Sequence, residues 1–178
     1  MRKTLSAELI KIIILIFILS VFSSCTHHYV PNQHPVKPGM APDFSSNKSI
    51  RILNAYDASD VKLFYAAGFH KYMGDMQLWT DTAVNVLRNE LEIRNLPVSD
   101  SAAKFIKLKI THASAYQGFA TIRCIVNMEV ETSDGQKRTF EGNNTSPWTI
   151  YRACDGAVTL AITAMLNDNE VLRFLKYQ

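Results

Sequence analysis

The sequence predicts an α+β domain, a two-layer sandwich in which an antiparallel sheet of about four strands carries two amphipathic helices on one face. Three observations predict it. Residues 106–111 and 122–131 alternate apolar and polar side chains with a period of two, the mark of strands wet on one face. Ile150, Cys154, Val158, Ala161, Ile162 and Met165 draw a single apolar stripe at helical spacing. The predicted element order is β-α-β-β-β-α, and two amphipathic helices must bury their stripes against the sheet.

The chain opens with an export signal. Arg2, Lys3 and Lys11 make a positive start, and residues 12–22, IIILIFILSVF, are apolar but for Ser20. That run is too short for a bilayer core of ~30 Å, which needs about 20 residues. It suits the apolar region of a secretory signal over residues 1–24. Phe22-Ser23-Ser24-Cys25 resembles the bacterial lipobox, in which the cysteine takes a thioether-linked diacylglycerol. Phe22 stands where leucine is usual. Acyl chains on Cys25 would anchor the protein at ~0.8 kcal/mol per buried CH₂. Thr26 follows, not the Asp that marks inner-membrane retention, so the expected address is the periplasmic face of the outer membrane.

Residues 25–48 read as the lipidated cysteine and a proline-rich tether. Pro31, Pro35, Pro38 and Pro42 punctuate a polar stretch without periodicity. His27, His28 and His34 fall in it and read as solvated. Residues 49–178 form the predicted periplasmic domain. Residues 50–53 are a short strand. Within 56–78, residues 61–65 are a strand candidate, and Gly68 and Gly74 bracket an irregular stretch. Thr80, Asp81 and Thr82 offer caps for a helix to about residue 95, ended by Pro97. Three strands follow: 106–111, then 122–131 with Ile122, Cys124, Val126, Met128 and Val130 inward, then 136–141 after the Asp134-Gly135 turn. Asn143-Asn144-Thr145-Ser146 reads as a polar turn. The long helix over 150–165 ends at Asn167-Asp168-Asn169, and a short one over 170–176 closes the chain.

Charge gives little away. The net charge is +3, of which Arg2, Lys3, Lys11 and Glu8 contribute +2. The remaining +1 offers no concentrated basic face for nucleic acid. Nor do the residues supply an enzyme's parts. There is no Gly-x-Ser-x-Gly elbow, no phosphate loop and no His-Glu-x-x-His zinc helix, so no catalytic residue, metal or cofactor is assigned. Glu129 and Glu131 share a strand face, with Arg123 and the lysines of the next strand as ordinary cross-strand partners. Cys124 and Cys154 both point inward, one from a strand and one from the helical stripe. In an oxidising compartment they form a disulfide if they meet, and otherwise pack as small apolar groups. Tyr56, Phe64, Tyr65, Phe69, Tyr72 and Trp79 cluster in 56–79. They either close the core or form a recognition surface, for which Tyr65, Phe69 and Tyr72 are the candidate partner contacts.

Val86-Leu87-Arg88-Asn89-Glu90-Leu91, Ala115-Tyr116-Gln117-Gly118, the alternating strand over 122–130, the Asp134-Gly135 turn and the closing Val171-Leu172-Arg173-Phe174-Leu175-Lys176 together resemble the YajG-like lipoproteins of Gram-negative bacteria. The likeness covers most of the chain after the tether. It implies an outer-membrane lipoprotein with a small α+β domain, and transfers no functional residue. The expected role is therefore a lipid-anchored, non-enzymatic module that binds another envelope component, an envelope protein being the expected partner. The alternative is an auxiliary lipoprotein of a lipid or lipopolysaccharide transport machine.

Overall fold

The structure is a computed structural model, and it describes residues 25–147 and 149–177. The predicted signal peptide lies outside the described residues. The main sheet has four strands in the order β2-β5-β6-β7: β2 is Arg51–Asn54, β5 Phe105–Gln117, β6 Ile122–Thr132 and β7 Lys137–Ser146. The β5–β6 and β6–β7 pairs are antiparallel, as the sequence predicts. β2 is parallel to β5, so the sheet is mixed, because the chain crosses over between them through helix α1, Met76–Ile93. A second, three-stranded sheet has the order β1-β4-β3, with β1 at Cys25–Tyr29, β3 at Val61–Ala67 and β4 at His70–Asp75. The class is α+β, with α1, α2 (Ile150–Leu166) and the short α3 (Asn169–Tyr177) as the helices among the described residues.

The predicted alternation is real. Ile106, Leu108, Ile110, Cys124, Val126, Met128 and Val130 are all buried on the helix side. A bulge between Ile110 and His112 shifts the phase of β5, so that Ala113 and Ala115 turn inward beyond it. On the other face Lys107 stands opposite Glu131 and Lys109 opposite Glu129. Trp79, Leu87, Leu91, Ile162 and Met165 fill the space between helices and sheet.

Helix α1 starts earlier than its sequence suggests. Asp75 is the cap, its side chain accepting from the Gln77 N–H at 2.9 Å. Thr80 and Thr82, which look like caps, lie inside the helix. The Thr80 hydroxyl donates to the Met76 carbonyl at 2.7 Å and accepts from the Ile110 N–H of β5 at 3.0 Å. The helix stops at Arg94 before Pro97 is reached, because Asn95 takes a left-handed φ of 57°. The Asn143–Ser146 stretch is strand rather than turn, continuing β7.

Residues 25–48 do not form a free tether. β1 pairs in parallel with β4, and Val36, Ala41 and Phe44 are buried in the core. The backbone of this segment is tied down by side chains of both long helices. Trp79 Nε1 donates to the Tyr29 carbonyl at 2.9 Å, Thr82 to Pro31 at 3.0 Å and Thr159 to His34 at 3.2 Å. The Val36 N–H donates to the Glu90 carboxylate at 2.8 Å, and Glu90 is buried in an ion pair with Arg94. Prolines remove backbone donors and hold the chain extended. Such a segment lies in a groove between helices as readily as in water, and no periodicity betrays which.

Candidate functional site

The first functional candidate, Cys25, is the first residue of β1 and is exposed. Its N–H donates to the Phe69 carbonyl at 3.0 Å, and it stands in register with His70. The candidate lipid-bearing residue is thus held against the turn of the β3–β4 hairpin, whose tight reversal uses a positive φ of 56° at Gly68. Two residues on, His27 pairs with Tyr72, stacks on its ring at 4.8 Å, and is hydrogen-bonded to His70 at 3.0 Å between its Nε2 and the His70 Nδ1.

The three candidate partner contacts therefore lie on the hairpin that holds Cys25, in different settings. Phe69 is exposed at the turn. Tyr72 is half-buried, its ring packed against Phe64, Tyr65, His27 and Tyr151. Tyr65 is half-buried too, and its hydroxyl donates to Gln117 Oε1 at 2.8 Å. Phe64 and Trp79 are core. The outer face of the small sheet carries further apolar groups that the sequence reading did not single out. Val61 is 47% and Leu63 52% exposed, with Leu63 opposite the half-buried Met73. The signal was present, since apolar residues at two-residue spacing outside the core set mark a bare strand face.

Asp155 is the other side chain that sequence reasoning missed. It sits near the start of α2 with its side chain almost wholly buried. It accepts from the Tyr29 hydroxyl, from the Asn32 N–H at 2.8 Å and from Asn32 Nδ2 at 3.4 Å, with His34 Nε2 also at 3.4 Å. Burial, and then the hydrogen bond to Asp155, push the Tyr29 phenol far above its ordinary range. A carboxylate so fully engaged by its neighbours binds the N-terminal segment to the helix layer.

Cys124 and Cys154 meet. Both are fully buried and both are free thiols here. A hydrogen bond to Cys124, and then burial, push the Cys154 thiol far up. On the open face of the main sheet a shallow groove of about 490 Å³ is lined by Lys107, Lys109, Glu129, Glu131, Lys137 and Arg138. Its charges are matched across strands, Lys137 lying 3.4 Å from Glu131, as on an ordinary solvated sheet face.

No family model and no curated protein matches the chain. Among solved structures, a crystal structure of a Xanthomonas campestris protein under the family model DUF330 aligns with 83% of this chain and 95% of that one, at 15% identity and a TM-score of 0.49.

Proposed function

We propose that the chain is a lipid-anchored, non-enzymatic envelope protein that binds another envelope component, from the periplasmic face of the outer membrane. The lipobox-like residues before Cys25 and the resemblance to YajG-like lipoproteins support the location. No helix among the described residues is long and apolar enough to cross a membrane. The observation that carries the binding role is the bare apolar face of the small sheet. Val61 and Leu63 project from β3, a strand that pairs with β4 on one side only, and the same sheet holds the anchor strand. An apolar face of this kind accepts a partner protein by side-chain burial. Tyr65 and Phe69 flank it, and Tyr72 supports it from beneath. A transport-machine subunit would call for an apolar cavity between helices and sheet. That layer is filled by Trp79, Leu87, Ile162 and Met165, so the small sheet is the surface to test for either role.

Photo-crosslinking in intact cells is the direct test. A photoreactive residue at position 63 should join the protein to one discrete envelope partner, while one at Thr139, on the charged face of the main sheet, should not. Equal and diffuse labelling from both positions would overturn the assignment of this face.

A further inference from the structure

Three pieces of the chain end together around Cys25. β3 runs beside β5 in the same sense: the Tyr56 hydroxyl, just before β3, donates to the Ile110 carbonyl at 2.8 Å, and Tyr65, further along, reaches Gln117 at 2.8 Å. The β3–β4 turn and the β5–β6 turn therefore lie at the same end of the molecule. Cys25 is fixed to the first of these turns by its bond to Phe69. The start of α2 joins them, since Tyr29 donates to the Tyr151 carbonyl at 3.1 Å and Tyr72 packs on the Tyr151 ring.

What this end displays is unusual for a surface facing water. Phe119, at the tip of the β5–β6 turn, is fully exposed at 109%; Phe69, at the other tip, is 61% and Tyr116 56% exposed. Residues 25–28, 66–71, 116–123 and 149–152 include Lys71, Arg123 and Arg152 and not one Asp or Glu. The opposite end, around the β6–β7 turn, mixes its signs, with Glu131, Asp134, Asp168 and Glu170 beside Lys137 and Arg138. Aromatic tips with basic, acid-free surroundings suit the headgroup zone of an anionic bilayer, where rings bury their apolar body and cations meet phosphate. β1 begins at Cys25 itself, leaving no slack between the lipid-bearing residue and the folded domain.

We infer that the domain rests end-on against the bilayer, with the Phe119 and Phe69 tips entering the headgroup zone of anionic phospholipid beside the acyl chains of Cys25. This rests on the anchor reading above. The domain then stands upright on the membrane instead of floating on a leash, with the apolar face of the small sheet turned sideways, at a fixed height for its partner.

The test uses the full chain, exported, lipidated and reconstituted in vesicles of phosphatidylethanolamine and phosphatidylglycerol. A single labelling site is introduced as Phe119→Cys, or as Ser133→Cys in the β6–β7 turn, about 35 Å away along β6 at ~3.3 Å per residue. Both positions are exposed turns, the native Cys124 and Cys154 are buried, and the exposed Cys25 sulfur is blocked by its thioether in the lipidated chain, so an environment-sensitive fluorophore reads the new site alone. The label at 119 should shift to the blue in vesicles and be quenched by brominated acyl chains, and the label at 133 should do neither. If the protein floats with the vesicles while both labels read water, the end-on contact is overturned and the anchor stands. If it does not float, the anchor reading fails and takes this inference with it.

Discussion

The Asn32 N–H donates to the Asp155 carboxylate over 2.8 Å, joining residues 123 positions apart and closing the N-terminal segment onto α2. The same carboxylate takes the Tyr29 hydroxyl. Asp155→Ala strands a phenol and a backbone donor in a part-buried site, each such loss costing about 1–3 kcal/mol. The variant should lose about 2–4 kcal/mol in urea unfolding, with hydrogen exchange rising first over residues 29–36. Asp155→Asn keeps one acceptor oxygen and should lose less. Were residues 25–48 a free tether in solution, Asp155→Ala would leave the unfolding midpoint where it was.

The tyrosines give this packing a pH dependence. Burial is the main cause that raises Tyr29, and it raises Tyr56 as well, to about 12, with Asp60 adding to the effect. A phenol whose pKa is higher folded than unfolded stabilises fully below the unfolded value of ~10, and that stabilisation is lost as pH rises towards the folded value. Unfolding midpoints should therefore hold up to about pH 10 and fall beyond it. Tyr29→Phe should make that fall shallower; an unchanged slope would show that the Tyr29 hydroxyl is not buried against Asp155.

Helix α2 touches the sheet at glycine. A Cβ on Gly142 of β7 would lie 1.8 Å from the Ala157 carbonyl oxygen and 2.6 Å from the Ala161 nitrogen. Both neighbours are helix backbone, which cannot swing aside as a side chain can. Gly142→Ala should cost about 3 kcal/mol, the upper part of the usual overpacking range. A loss below about 1 kcal/mol would mean that α2 shifts on the sheet at little expense.

β5, β6 and α2 bury one face each, so their periods stand out in the sequence, and the inward residues it marks from Ile106 to Met165 are buried except Ile122, which is half-buried against the core. The sequence ends β7 at residue 141, short of its observed end at Ser146, because Asn143, Asn144 and Thr145 look like turn formers. Their strand is held by α2, with Asn144 Nδ2 donating to the Arg152 and Ala153 carbonyls at 3.0 and 3.1 Å. The β3–β4 hairpin was hidden by a bulge between Leu63 and Tyr65, which breaks its alternation. Cys25 and the aromatic segment were each legible as candidates. Their adjacency was not, because parallel pairing of β1 with β4 leaves no local signature in either strand.

The cysteine pair makes a separate prediction. Cys124 and Cys154 lie in thiol contact deep in the core, and neither is accessible once the chain has folded. In the reducing state, alkylation of the native protein should find neither thiol, and alkylation after denaturation should find both. On the export reading proposed above, the chain would meet an oxidising periplasm before folding, with its thiols still exposed. We expect it to close the bridge, a loop of about 30 residues worth roughly 3–4 kcal/mol in the chain-entropy model. Protein recovered from the envelope and denatured without reductant should then show no free thiol. Two alkylated cysteines per chain would show that the pair stays as ordinary packing.

Separating recognition from stability requires two substitutions on the small sheet that differ in what their side chains touch. Leu63 is 52% exposed on the outer face, so Leu63→Arg removes an apolar contact without opening the core. Tyr72 lies beneath it with its ring against four neighbouring rings, and aromatic pairs of this kind each contribute about 0.5–1.5 kcal/mol beyond their buried area. Tyr72→Ala should therefore lower the melting temperature clearly, while Leu63→Arg should leave it within the few tenths of a kcal/mol typical of surface changes, below about 0.5. Partner capture should respond the other way for Leu63→Arg, weakening by more than about 1 kcal/mol if the residue is a binding hot spot. The charge acts as well as the lost methyl groups, since a guanidinium pressed into an apolar interface must be desolvated without a partner. Capture undiminished in Leu63→Arg, with the protein fully folded, would move the partner off this face and onto the charged groove of the main sheet around Lys107, Lys109, Arg138 and Glu129.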